Sequence, residues 1–158
     1  MVVLRDSRIL ELCSSGNLIA ENFSPESVTP NGYDLRVGKI RFGGAEGDEF
    51  TIPSNSHFLI STQEYLKMPA TVMGQIWIRS SFSRKGILGS FGAVEAGYCG
   101  NLTLSFFNLS SETLVVTKGQ RIAQIVFHEL DGYPEMTYPE RSGNYQGMRG
   151  INIKPKNE

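Results

Sequence analysis

The stretch AVEAGYCGNLTLSFFN, residues 93–108, places a carboxylate, Glu95, three residues before an aromatic, Tyr98, with a glycine between them. A carboxylate beside a tight turn can act as a general base toward water. The stretch IRSSFSRKG packs Arg79, Ser80, Ser81, Ser83, Arg84 and Lys85 into seven positions. Two guanidiniums and several hydroxyls can satisfy a polyphosphate through bidentate and charge-assisted hydrogen bonds. A short helix opened by Ser80 or Ser81 would add amide donors; a solvated basic turn would use the same residues. Gln124 lies inside the apolar run RIAQIVF, where its amide must find partners in the core or on a ligand. Asp34 stands in the glycine-flanked NGYDLRVG, and Tyr145 stands between glycines in GNYQGMRG, a flap or a frayed tail.

Several other chemistries are excluded by spacing. The zinc deaminases of nucleobases need an H-x-E and a P-C-x-x-C, but His57 is followed by Phe58 and Leu59, and Cys13 and Cys99 form no CxxC. His57 and His128 are isolated in sequence and read as satisfied structural histidines. No GxxxxGK[ST], no GxGxxG and no G-x-S-x-G occurs. Two cysteines without a framework are expected to be free thiols in a reducing cytosol.

These residues need elements to position them. The 158 residues suit one domain, 1–158, with one sizeable core. A formal net charge of −1 makes no electrostatic case for nucleic acid or a membrane surface. No apolar run approaches the roughly 20 residues of a membrane span, and the first residues show no signal-peptide pattern. One helix is expected near the start, capped by Asp6 or Ser7, apolar at Ile9, Leu10, Leu12 and Cys13, and ended by Gly16. Strand patterns dominate the rest. HFLIST and the following STQEYLKMP are expected to be extended. NLTLSFFN alternates Leu102, Leu104 and Phe106 with Asn101, Thr103 and Ser105. TLVV, the turn TKGQ and RIAQIVFHEL are expected to form a hairpin. Many short strands, one early helix and frequent turns predict a mainly-β barrel or sandwich.

In order along the chain, from about Leu4 to Gly150, these segments resemble the dUTPase and dCTP deaminase superfamily. RSSFSRKGI, AGYCGNLTLSFFN and KGQRIAQIVF carry the resemblance, and LRDSRILELCSSGNLI and IRSSFSR look like the deaminase branch and its archaeal-type dUTPase relatives. The resemblance implies a distorted jelly-roll β-barrel with a short N-terminal helix, a homotrimer with shared active sites, and a C-terminal arm over about 138–158 that covers the nucleotide. It assigns Arg79, Ser80, Ser81, Arg84 and Gln124 to the triphosphate. Tyr98 packs on the deoxyribose, Tyr138 and Tyr145 contact the substrate, and Asp34 stands near the water shell of a magnesium ion. Asn144 stands where the deaminase branch often has Lys, and Met148 where it often has Gln.

Glu95 matches the position where dUTPases carry the aspartate that activates water, and Ser105 the position of the deaminase glutamate. A Mg²⁺-dependent dUTP diphosphatase, giving dUMP and diphosphate in the cytoplasm, is therefore the expected activity. A dCTP deaminase, alone or bifunctional, and a nucleotide-binding protein with little turnover are the alternatives. No nucleic acid or membrane partner is expected.

Overall fold

In the computed structural model, which describes residues 2–156, the early helix and the strand-rich remainder form as their patterns predict. Positions 157 and 158, the end of the expected arm, and position 1 lie outside the described residues. The chain runs β1 (Val2–Val3), α1 (Asp6–Ser14), β2 (Leu18–Glu21), β3 (Val28–Thr29), β4 (Gly32–Phe42), β5 (Ala45–Gly47) and β6 (Glu49–Ile52). It continues through β7 (Ser56–Thr62), β8 (Tyr65–Lys67), β9 (Val72–Ile78), α2 (Ser80–Ser83), β10 (Ile87–Ser90), β11 (Ala93–Val94) and β12 (Cys99–Gly100). It closes with β13 (Thr103–Asn108), β14 (Leu114–Thr117), β15 (Arg121–Glu129) and α3 (Tyr138–Arg141).

The principal sheet has the order β10-β13-β7-β4-β15-β9-β11, with β1, β3 and β5 added alongside. Each neighbouring pair on that path is antiparallel. It curls into the mainly-β, distorted jelly-roll barrel, with β12-β8-β2 and β14-β6 as smaller sheets. The period of two along each strand sends alternate side chains inward. Thus Leu104 and Phe106 are buried on β13 while Thr103 and Ser105 stay half-buried on the other face. Phe58 stacks on Phe106 across the strand pair, 5.3 Å between ring centroids, and Phe91 meets Phe106 edge-on at 5.2 Å.

Two local expectations fail for identifiable reasons. Helix α1 is capped by neither Asp6 nor Ser7: Arg5 is the extended N-cap residue, with no side-chain cap bond. The chain is already fixed there by backbone, because Leu4 N–H donates to Phe127 O at 2.9 Å and Asp6 N–H to Pro30 O at 3.1 Å. Ile9 is buried, but Leu10 remains 43% exposed, so the apolar face is narrower than its pattern. The hairpin expected from β14 and β15 also does not form. The turn between them exists, with Gly119 at φ +83°, but it docks on other strands. Lys118 N–H donates to Asp48 O at 2.7 Å, Gly119 N–H to Val37 O at 2.8 Å and Val37 N–H to Gln120 O at 2.9 Å. β14 then pairs with β6, while β15 lies between β4 and β9. Cys13 and Cys99 are free thiols, and burial pushes the Cys13 thiol up to about 11.

Candidate active site

The segment between β11 and β12 is a tight turn. Tyr98 N–H donates to Glu95 O at 3.1 Å, and Gly97 occupies the third position with φ +86°. A positive φ at that position is cheap only for glycine, which explains the spacing E-A-G-Y. Met68 N–H donates to Tyr98 O at 2.8 Å and ties the turn to the end of β8. Glu95 therefore sits exposed at the rim of an open cleft of about 590 Å³, and Tyr98 forms part of its wall.

Tyr98 is 7% exposed, donates its hydroxyl to Asn101 O at 2.8 Å, and meets Tyr138 edge-on at 5.6 Å. Burial pushes its phenol well above the ordinary value, so it remains a donor. Tyr138 opens α3 behind a capping box of Thr137 and Glu140, with Thr137 N–H donating to Glu140 at 2.7 Å. Tyr138 N–H reaches Ala96 O at 3.0 Å, and its hydroxyl accepts from Tyr145 N–H at 2.9 Å. The arm is laid along the same turn and β12. Gly147 N–H donates to Cys99 O, Asn101 N–H to Met148 O, and Gln146 bonds both Cys99 N–H and Gly97 O. Glu95, Tyr98, Tyr138 and Tyr145 thus share one cleft with Asn101, Ser105, Asn144 and Met148.

Ser105, which lines that cleft, belongs to a residue pair that is not visible in the linear sequence. His57 Nε2 lies 2.8 Å from Ser105 Oγ. In the β7–β13 register Ser105 faces Leu59 and Phe107 faces His57, so the two are diagonal neighbours on one face. His57 is exposed with its Nε2 paired to Ser105, whereas buried His128 is not the satisfied histidine expected and has no partner at either ring nitrogen among the described residues.

The remaining expected site residues form a second cluster. Asp34 on β4 is 5% exposed, 3.1 Å from Arg79 Nε and 3.8 Å from Arg121 Nη1. Burial pushes its carboxyl up, against the pull of both guanidiniums. Gln124 is its register partner on β15 and donates to Thr29 Oγ1 at 3.1 Å. Phe82, buried, pins α2 so that Ser80, Ser81 and Arg84 are exposed. Arg121 escaped sequence reasoning because a register irregularity between Arg121 and Ala123 breaks the alternation of β15. Val94 opposes Gly74, whereas Arg79 follows the far end of β9. The arginine cluster is therefore about 16 Å along that strand from the Glu95–Tyr98 turn, at roughly 3.3 Å per residue.

Asp34 does not fit a metal role, since two guanidiniums already neutralise it. Among the described residues no group of three His, Cys, Asp or Glu side chains could hold a metal ion.

Residues 40–130 match the family described as dCTP deaminase-like. A dCTP deaminase of Thermococcus gammatolerans is 44% identical over 145 residues, covering 88% of this chain and 90% of that protein. The crystal structure of the 2'-deoxycytidine 5'-triphosphate deaminase from Agrobacterium tumefaciens shares the fold, with a TM-score of 0.68 and 23% identity. The match covers 80% of this chain and 48% of that one, so the chain spans about half that protein's length. A dUTPase from phage phi11 of Staphylococcus aureus, described as coordinating a structural Mg(II) ion, shares it at a TM-score of 0.54 and 20% identity, over 68% and 82% of the two chains. The family match and the deaminase relative overturn dUTP diphosphatase as the main reading, for which Glu95 and Ser105 had been the argument, and favour the deaminase alternative. Within the dUTPase and dCTP deaminase superfamily, whose barrel it has, the chain belongs to the dCTP deaminase-like family.

Proposed function

We propose that this protein is a dCTP deaminase, converting dCTP and water to dUTP and ammonia. The observation that carries this reading is the cleft: on a deaminase-like fold, Glu95 is the one carboxylate among its described lining residues, and Tyr98 and Tyr138 form an aromatic wall beside it. A flat pyrimidine suits that wall, with the deoxyribose against Tyr98. Glu95 takes a proton from the water that adds to C4 and passes it to N3. The proton of the new C4 hydroxyl then reaches the amine, C4–N breaks, and C4=O forms.

The exposed Ser80, Ser81 and Arg84, with Arg79 and Gln124 behind them, suit the triphosphate. Magnesium enters as the counter-ion of the substrate's phosphates, and no protein residue is assigned to hold it. Because the cleft and the arginine cluster sit apart on one chain, we place the complete site between copies of a homotrimer, one copy's arginines serving another's cleft. Residues 138–156, the described part of the expected arm, act as the arm that lies over the base, with Tyr145 in contact. The two free thiols suit a cytoplasmic protein.

A second reading, a nucleotide-binding protein with little turnover, is favoured by Ser105, a hydroxyl in the cleft where the deaminase reading places proton transfer. Incubation with each pyrimidine nucleoside triphosphate and Mg²⁺, with chromatography and an enzyme-coupled ammonia assay, separates the two. We expect equal amounts of dUTP and ammonia from dCTP; tight binding of dCTP without ammonia would establish the second reading instead.

The sugar contact gives a separate prediction. Tyr98→Leu should narrow the preference for dCTP over CTP in kcat/KM by about tenfold, because it opens the space that a 2′-hydroxyl would need. An unchanged ratio would make Tyr98 a wall residue with no part in sugar selection.

A further inference from the structure

We infer that Ser105 and His57 together form a second proton station of this cleft, one that takes the proton from the new hydroxyl at C4 and delivers it to the leaving amine. The inference rests on the deaminase reading and adds to it residues that sequence spacing sets far apart. Ser105 is half-buried and lines the cleft, whereas His57 is exposed and does not line it. The hydroxyl therefore stands between the cleft and the imidazole, 2.8 Å from Nε2. The pair is set by the sheet: the β7–β13 ladder is continuous from Thr103–Ser61 to Asn108–Ser56, so neither side chain can leave its face without a register slip. The His57 ring also leans on Phe107, 6.4 Å between centroids.

The arrangement suits proton transfer better than nucleophilic attack. Among the described residues His57 bonds no carboxylate, so the pair lacks the orienting acid of a Ser–His–Asp triad. It resembles instead a hydroxyl bridge to an imidazole base. The step balances as follows. After water has added and N3 carries its proton, C4 bears a hydroxyl and an amine. The hydroxyl proton passes to Ser105 Oγ as the Ser105 proton passes to His57 Nε2. The imidazolium returns a proton through Ser105 to the amine nitrogen. The C4–N electron pair leaves with nitrogen as ammonia, and an oxygen lone pair forms C4=O. This path needs neutral His57 with its proton on Nδ1 and its lone pair toward Ser105. His57 acts through Ser105 and touches no reacting atom.

The test uses full-length wild type, His57→Gln, Ser105→Glu and the double variant, each assayed for ammonia from dCTP and for dCTP binding, with ¹⁵N NMR of the histidine rings. His57→Gln should lower ammonia release by about 10²-fold at unchanged dCTP affinity. Ser105→Glu supplies its own base, so the double variant should be as active as Ser105→Glu alone. The wild-type spectrum should show His57 Nε2 unprotonated. Full activity of His57→Gln, or a proton on Nε2, would overturn the relay and leave deamination standing. Ammonia from Ser105→Glu but not from wild type would also overturn the relay, while showing that the cleft supports deamination. Bound dCTP with no ammonia from either protein would overturn the deaminase reading itself, and the relay with it.

Discussion

Glu95→Gln is expected to lower ammonia release from dCTP by about 10²–10⁴-fold while leaving dCTP affinity within a few-fold of wild type. The expected range is the ordinary contribution of a positioned general base. Glutamine keeps the length and the hydrogen-bonding reach of Glu95, so the turn held by Gly97 and by the Tyr98–Glu95 backbone bond should persist. What it loses is the ability to accept the water's proton. A loss of kcat at constant affinity is the signature of an interaction made only in the transition state. The measurement is coupled ammonia release beside calorimetric binding of dCTP. Near-wild-type turnover in this variant would remove Glu95 from the reaction and leave Ser105 and His57 as the proton acceptors of the cleft.

The parts of this site that were legible in sequence are those that local backbone chemistry dictates. E-A-G-Y demands a turn with glycine third, and that turn sets Glu95 and Tyr98 beside one cleft. Alternation in NLTLSFFN put Leu104 and Phe106 in the core and Ser105 on the cleft face. The parts that were not legible depend on partners distant in the chain. Ser105 read as the end of deaminase chemistry because nothing near it in sequence could activate a hydroxyl. The sheet brings His57 to it from 48 residues away. The resemblance alone puts Asp34 near a metal's water shell, and its pairing with Arg121 depends on an irregular register that its own strand does not announce. The β14–β15 turn has hairpin composition, yet its backbone groups are taken by Asp48 and Val37. The atom attacked, phosphorus or ring carbon, is not specified by these residues for a related reason. A carboxylate beside an aromatic specifies a base near a pyrimidine, and the reacting atom depends on how the ligand lies.

Removing the Glu64 side chain is expected to destabilise the protein by about 4 kcal/mol in Glu64→Ala. Its side chain is fully buried, and its carboxylate accepts from Arg36 Nε at 2.7 Å, Arg36 N–H at 3.0 Å and the Tyr33 hydroxyl at 3.3 Å. Alanine would leave a guanidinium, an amide and a phenol without that acceptor, and a void beside them. At 158 residues the melting temperature should fall by about 10 °C. The charge itself is the smaller part. Burial pushes the Glu64 carboxyl above its ordinary value in spite of Arg36, so the folded environment opposes ionisation on balance. The unfolded chain then releases this proton first as pH rises. The group's contribution to stability therefore declines between the ordinary carboxylate range and the raised folded value. Glu64→Gln keeps one oxygen for Arg36 Nε and Tyr33 and loses the acceptor for Arg36 N–H, a cost of about 1 kcal/mol. The cleft should register the larger loss as well. Glu64 O accepts from Asn101 at 2.9 Å, and Asn101 in turn receives the Tyr98 hydroxyl and Gly150 N–H. Thermal melts of both variants, with KM for dCTP measured below the transition, test the argument. Equal damage from Gln and Ala would show that the buried charge, and not its acceptor geometry, holds β4 to the cleft.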